Sequence, residues 1–152
     1  METQTRIDEM RQKLRDSGHR ITPQRLCILE ALLAANTHPS AEEIYAQVRK
    51  ISPTTSLATV YKTLDTLRDM GEVMEMEIGD GRFHYDGVHP QFHPHAICTR
   101  CGTIADIELP GLSCLPVQAG EASGYEIHAQ RVEFYGLCTS CQSAPPIENR
   151  KN

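Results

Sequence analysis

No stretch of this chain is apolar over the roughly 20 residues a membrane-spanning helix needs, so no such span is expected. The start, METQTRIDEMRQKLRDSG, lacks the apolar core and small-residue cleavage site of a secretory signal, and the protein is expected in the cytoplasm, away from membranes. Internal repeats and low-complexity tracts are absent as well. A basic excess is also lacking, since the formal net charge is −5. That total limits background affinity for polyanions, but a bound duplex meets only one face of a protein. The first 26 residues carry six basic side chains (Arg6, Arg11, Lys13, Arg15, Arg20, Arg25) against four acidic ones. With 152 residues the chain can form one ordinary domain or two small ones.

The first half reads as helices followed by a hairpin. Ile7, Met10 and Leu14 recur at helical spacing over residues 6–17, and Gly18 supplies a stop. Thr22-Pro23 opens a second helix with the stripe Leu26, Leu29, Leu32 and Leu33, broken at Asn36-Thr37-His38-Pro39. Ser40-Ala41-Glu42-Glu43 is a capping box for a third helix that presents Ile44, Tyr45 and Val48. A fourth helix starts near Ser56, with Leu57, Val60, Leu64 and Leu67 inward and Ser56, Thr59, Lys62, Thr63 and Thr66 on the other face. Such a face is commonly just solvated. Short strands over 72–78 and 82–85, joined by Gly79-Asp80-Gly81, complete a winged helix whose fourth helix would read DNA.

The expected organisation is α+β: a winged-helix DNA-binding domain over 1–86, a hinge over 87–92, and an α/β domain over 93–142. Residues 143–152 read as a disordered tail. In the second half, strands are expected over 96–98, 103–108 and 125–135, with a short helix within 112–123.

Six cysteines are present, and four of them form two CxxC pairs: Cys98/Cys101 and Cys138/Cys141. Four thiolates in two knuckles satisfy the closed tetrahedral coordination that structural Zn2+ prefers. A redox CxxC accounts for one pair but not two, and two disulfides conflict with a cytoplasmic setting. Cys27 and Cys114 read as core-packing thiols. Nitrogen and oxygen ligands gather around the hinge: His84, Asp86, His89, His93, His95 and Asp106. His93 and His95 share one side of an extended segment, and Asp106 falls on the next strand. A mixed imidazole and carboxylate set suits Fe2+, Mn2+ or Zn2+. His38, just before the third helix, offers a ligand from the first half.

Five segments, HRITPQR (19–25), HPSAEEIY (38–45), SLATVYKTLDTL (56–67), HPHAICTRCG (93–102) and YGLCTSC (135–141), resemble the ferric uptake regulator family in order and spacing. The resemblance runs from about residue 11 to residue 142. It implies a homodimer with a C-terminal dimerisation domain, structural zinc on Cys98, Cys101, Cys138 and Cys141, and binding to palindromic double-stranded DNA. It also places Thr59, Tyr61 and Lys62 in the recognition helix, with the tyrosine touching bases, and Arg20 and Ser56 are expected at the DNA beside them. The family's peroxide-sensing branch binds Fe2+ or Mn2+ through positions matched by His38, Asp86, His93, His95 and Asp106. There His38 and His93 are the oxidation-sensitive ligands. Asp106, where iron sensors usually carry glutamate, and Gln130, where many carry a histidine ligand, both tilt toward that branch. The segment before His93 is one residue longer than usual, so His84 and His89 rival Asp86.

The function expected is a metal-dependent repressor that senses peroxide through iron-catalysed oxidation of a ligating histidine, and not an enzyme. An iron- or zinc-responsive uptake repressor without self-oxidation is the nearest alternative. A zinc hydrolase would need an open coordination position with a general base in a cleft, and no such motif is present. A thiol oxidoreductase would need knuckle thiols that react without prior chelation.

Overall fold

The computed structural model describes residues 2–34 and 38–144, and the chain falls into two compact units, residues 1–91 and 92–152. The expected break at Asn36-Thr37 and most of the expected tail lie outside the described residues.

In the first unit four helices precede a hairpin: α1 (Glu2–Asp16), α2 (Pro23–Ala34), α3 (Ala41–Ile51) and α4 (Leu57–Asp69), then β1 (Met74–Glu77) and β2 (Phe83–Asp86). Local chemistry sets the helix ends. Gly18, at φ 78°, takes the left-handed turn that closes α1, a conformation L side chains resist. The Thr22 hydroxyl accepts the Arg25 N–H at 3.2 Å to start α2. Ser40 and Glu43 form a reciprocal capping box on α3, and Ser56 caps α4. β1 and β2 pair antiparallel with Met74 opposite Asp86. One core joins Ile7, Met10 and Leu14 of α1 with Leu29, Leu32, Ile44, Val48, Val60, Leu64 and Leu67.

Three expectations about this core are corrected. Ile28 rather than Leu26 belongs to the buried stripe of α2. Thr63, expected on the polar face, is 1% exposed, with its hydroxyl donating to the Thr59 carbonyl at 2.8 Å. Leu57 is only partly covered. Positions 60, 63, 64 and 67 share one helical face, so a threonine can sit inside when the preceding turn satisfies its hydroxyl.

The second unit is a three-stranded sheet in the order β4-β3-β5: β3 (His95–Cys98), β4 (Ile104–Asp106) and β5 (Glu133–Gly136). β3 runs antiparallel to β4 and parallel to β5. A 3-10 turn (Leu112–Cys114) leads into α5 (Leu115–Ser123), and α6 (Thr139–Ser143) follows the sheet. The expected strand over 125–135 is formed only at its end. β3 begins directly after Pro94, so beyond the His95 N–H on the Val132 carbonyl (3.2 Å) the ladder is not continued along 125–132. The short α6 was not expected from the sequence. Cys114 is exposed rather than core-packed, with its thiol donating to the Gly111 carbonyl at 2.8 Å, while Cys27 packs at the edge of the first unit's core. No described helix is long and apolar enough to cross a membrane.

Candidate metal centres

The four knuckle cysteines converge. β3 and β5 lie parallel with Cys98 opposite Gly136, which brings Cys138 and Cys141 to the end of β3, where Cys98 and, in the turn that follows, Cys101 lie. Gly102, at φ 74°, reverses the first knuckle, and Cys98 N–H donates to the Thr103 carbonyl at 2.9 Å. Thr99 N–H on the Gly136 carbonyl (2.8 Å) and Arg100 on the Cys141 carbonyl (2.5 Å) tie one knuckle to the other. All four sulfurs lie within 4.8 Å of one another. Cys101 and Cys138 sulfurs stand 3.7 Å apart. A tetrahedron with metal–sulfur bonds of about 2.3 Å has edges of about 3.8 Å, so the spacing fits zinc. The electrostatics agree. Peptide N–H groups of Cys138 and Cys101 hold the Cys98 thiol down at about 6, whereas burial and the neighbouring thiols push Cys141 up to about 12. Four crowded thiols resist becoming four thiolates unless a divalent cation balances them.

A histidine–carboxylate pair stands in the first unit. Ser40 bridges His84 of β2 in antiparallel register, and Tyr85 N–H donates to the Pro39 carbonyl at 3.0 Å. Two residues further out, the same register sets His38 against Asp86. The His38 Nε2 lies 3.6 Å from Asp86 Oδ2, and these side chains are 8% and 5% exposed. The other carboxylate oxygen accepts the N–H groups of Val88 (2.8 Å) and His89 (3.0 Å). Burial alone would raise the Asp86 carboxyl, but His38 and the two amides outweigh it and hold the group below the usual carboxylate range.

His84, one rival to Asp86, has both ring nitrogens engaged, with the His38 carbonyl and with Asp80, each at 2.8 Å. His89, the other rival, is exposed and meets Asp86 through its backbone N–H.

In the second unit Asp106 sits directly opposite His95 on the neighbouring strand. Its Oδ1 is 3.3 Å from His93 Nε2 and 3.8 Å from His95 Nε2, and the two imidazole centroids are 4.3 Å apart. Pro94 keeps the segment extended, and its carbonyl accepts the Ile107 N–H at 2.9 Å. Two imidazoles and one carboxylate form the donor set typical of non-haem Fe2+ sites with open positions.

The residues proposed for DNA differ in their surroundings. Lys62 and Arg20 are exposed. The Ser56 hydroxyl is occupied as a cap and pairs with the Thr59 hydroxyl at 2.9 Å. Tyr61 donates its hydroxyl to Glu42 at 2.6 Å, which sets its ring against α3. Sequence reading missed Glu42 in this role, and also missed that Arg6 is covered rather than part of an exposed basic face. The capping box that contains Glu42 was its only local signal.

A thiolate cage and clustered imidazole–carboxylate ligands, carried by a chain that begins as a winged helix, are the parts of a metal-dependent transcriptional repressor. The chain belongs to the Ferric uptake regulator family, which it matches over residues 16–135. It is 39% identical over 135 residues to the peroxide operon regulator of Bacillus subtilis, covering 89% of this chain and 92% of that one. The peroxide stress regulator of Campylobacter jejuni is similar in structure, with a TM-score of 0.66 and 34% identity over 78% of this chain and 89% of that one. The ferric uptake regulator Fur of Helicobacter pylori, at 22% identity, shows the same fold with a TM-score of 0.76 over 95% of this chain and 96% of that chain.

Proposed function

We propose that this repressor is a cytoplasmic homodimer that binds a palindromic operator when Fe2+ or Mn2+ is held by ligands from both of its units, and that peroxide releases the DNA from the iron form. Residues 1–86 would bind DNA, 87–92 would act as the hinge, and 93–142 would dimerise. The single observation that carries this reading is the convergence of His93 and His95 on Asp106 at 3.3 and 3.8 Å. His38 and Asp86 supply the matching pair from the first unit. With Zn2+ held by Cys98, Cys101, Cys138 and Cys141, the second unit keeps a fixed scaffold.

The chain's own residues account for the remaining steps. His38, Asp86, His93, His95 and Asp106 bind the ion, and occupancy favours the DNA-competent arrangement by its differential affinity for that arrangement. Arg20, Ser56, Thr59, Tyr61 and Lys62 face the operator, with Lys62 and Arg20 free in solvent to meet phosphate. Two recognition helices spaced about one DNA turn apart read the two half-sites. Dimerisation is supported by the apolar side chains the second unit leaves in water, among them Val117, Tyr125, Phe134, Tyr135 and Leu137. Bound Fe2+ would supply the reductive activation of peroxide. His38 or His93 then takes one oxygen atom on its imidazole, and water leaves as the second product. A ligand altered in this way binds the ion more weakly, and the operator is released.

Operator binding is to be measured on the zinc-loaded protein alone, then with Mn2+, then with anaerobic Fe2+ before and after a peroxide pulse. Activation by both ions, loss only of the iron-loaded activity, and a single added oxygen on His38 or His93 by mass spectrometry are expected. Iron activation without peroxide-dependent histidine oxidation would instead identify a metal-uptake repressor.

A further inference from the structure

Arg6 lies early in α1, 81 residues from its most distant partner. Its side chain is only 15% exposed. Nη1 donates to Glu72 Oε2 at 2.9 Å, Nη2 to the Glu72 carbonyl at 3.0 Å, and Nε to the Gly87 carbonyl at 3.0 Å. A longer contact reaches Glu9 at 3.5 Å. Glu72 stands between α4 and β1, and Gly87 immediately follows β2. One planar guanidinium therefore spans both feet of the hairpin, at the end where Met74 faces Asp86. Lysine, a point charge without the fork, cannot serve both partners in this way.

Gly87 is held from its other side too. A Cβ placed there would stand 2.9 Å from Leu32 Cδ2 and 3.0 Å from Leu33 Cδ2, closer than side chains pack. The backbone at 87 is thus fixed between the α1 guanidinium and two buried leucines of α2. Asp86 precedes it, and the orientation of the Asp86 carboxylate depends on the chain path beyond, because Oδ1 is held by the amides of 88 and 89.

We propose that Arg6 and Gly87 are positioning residues for the regulatory ion: they fix Asp86 beside His38, and so couple the packing of α1 to metal affinity. This rests on the reading of Asp86 as a ligand. Residues that orient a ligand without touching the metal typically change its affinity by about 10–100-fold when removed. The coupling is reciprocal, so metal binding must in turn stabilise the contact of α1 with the hairpin.

The test is calorimetric titration of the zinc-loaded full chain with Mn2+, for the unaltered protein and for Arg6→Lys, Gly87→Ala and Asp86→Ala. Arg6→Lys keeps a cation for Glu72 but loses the bond to Gly87. It is expected to weaken Mn2+ binding by about tenfold at unchanged stoichiometry and zinc content. Gly87→Ala keeps every hydrogen-bonding group and shifts only the chain path, so it carries the same expectation if Arg6→Lys loses helical circular dichroism. Hydrogen exchange adds a readout that plain destabilisation would not give: Mn2+ is expected to slow the amides of α1 in the unaltered protein and to do so less in Arg6→Lys. Full Mn2+ affinity in a folded Arg6→Lys or Gly87→Ala, while Asp86→Ala loses it, overturns the positioning role and leaves the site intact. Unchanged affinity in Asp86→Ala overturns the ligand assignment itself.

Discussion

Replacing Glu72 with glutamine removes one negative charge from a largely enclosed ion cluster of the first unit. The Glu72 side chain is 7% exposed, Arg6 is 15% exposed, and Lys13, at 2.6 Å from the carboxylate, is 54% exposed. The Lys13 contact is therefore partly screened by water, while the Arg6 contact is shielded. Removing one partner of a fully buried pair costs about 3–5 kcal/mol. Here Arg6 keeps two backbone carbonyls and the nearby Glu9, so a loss of about 2 kcal/mol is expected. At a urea slope of about 2 kcal/mol/M this lowers the unfolding midpoint by roughly 1 M, read by far-ultraviolet circular dichroism on zinc-loaded protein. The pH dependence has a definite sign. Burial pushes the Glu72 carboxyl up, but Lys13 and Arg6 outweigh it and hold the group below its ordinary value. A carboxylate lowered in the folded state stabilises fully above its unfolded value near 4.3 and loses that stabilisation as pH falls through the folded one. The gap between the unaltered protein and Glu72→Gln should hold steady from pH 7 to about 5 and shrink below that. A gap under about 0.5 kcal/mol at pH 7, or one that widens on acidification, would refute the reasoning.

Two further perturbations address other parts of the structure. Cys101→Ser breaks the sulfur cage and should cost the chain its zinc, measured by elemental analysis. In the unaltered protein the knuckle thiols should react with a disulfide reagent only after chelation, and equal reactivity before and after would count against structural zinc. Ser40→Ala removes the side-chain half of the α3 capping box, a loss of about 1 kcal/mol seen as a lower urea midpoint, with Ser40→Thr retaining most of it. No shift in the alanine variant would mean that the buried 39–40 segment, not the cap, fixes the start of α3.

By itself the sequence determined whatever depends on neighbours along the chain. Thr22-Pro23, Ser40-x-x-Glu43 and Ser56 announce helix starts because a cap is satisfied within one turn. Each CxxC announces a metal because its two sulfurs are set by a single reverse turn, and His93 and His95 share a side because strand residues alternate. Tertiary structure decided what depends on distant partners. Asp86, rather than His84, faces His38 because the 38–40 segment lies along β2, which leaves the His84 ring bonded on both sides. Thr63 entered the core and Tyr125–Val132 stayed out of the sheet, since burial and strand pairing are settled by what packs alongside. Arg6 reads as one more basic residue near the start of the chain. Only the fold, which brings residue 87 within hydrogen-bond distance of residue 6, makes it the link between the first helix and a metal ligand, because burial gives a guanidinium fork its value and no local pattern records burial.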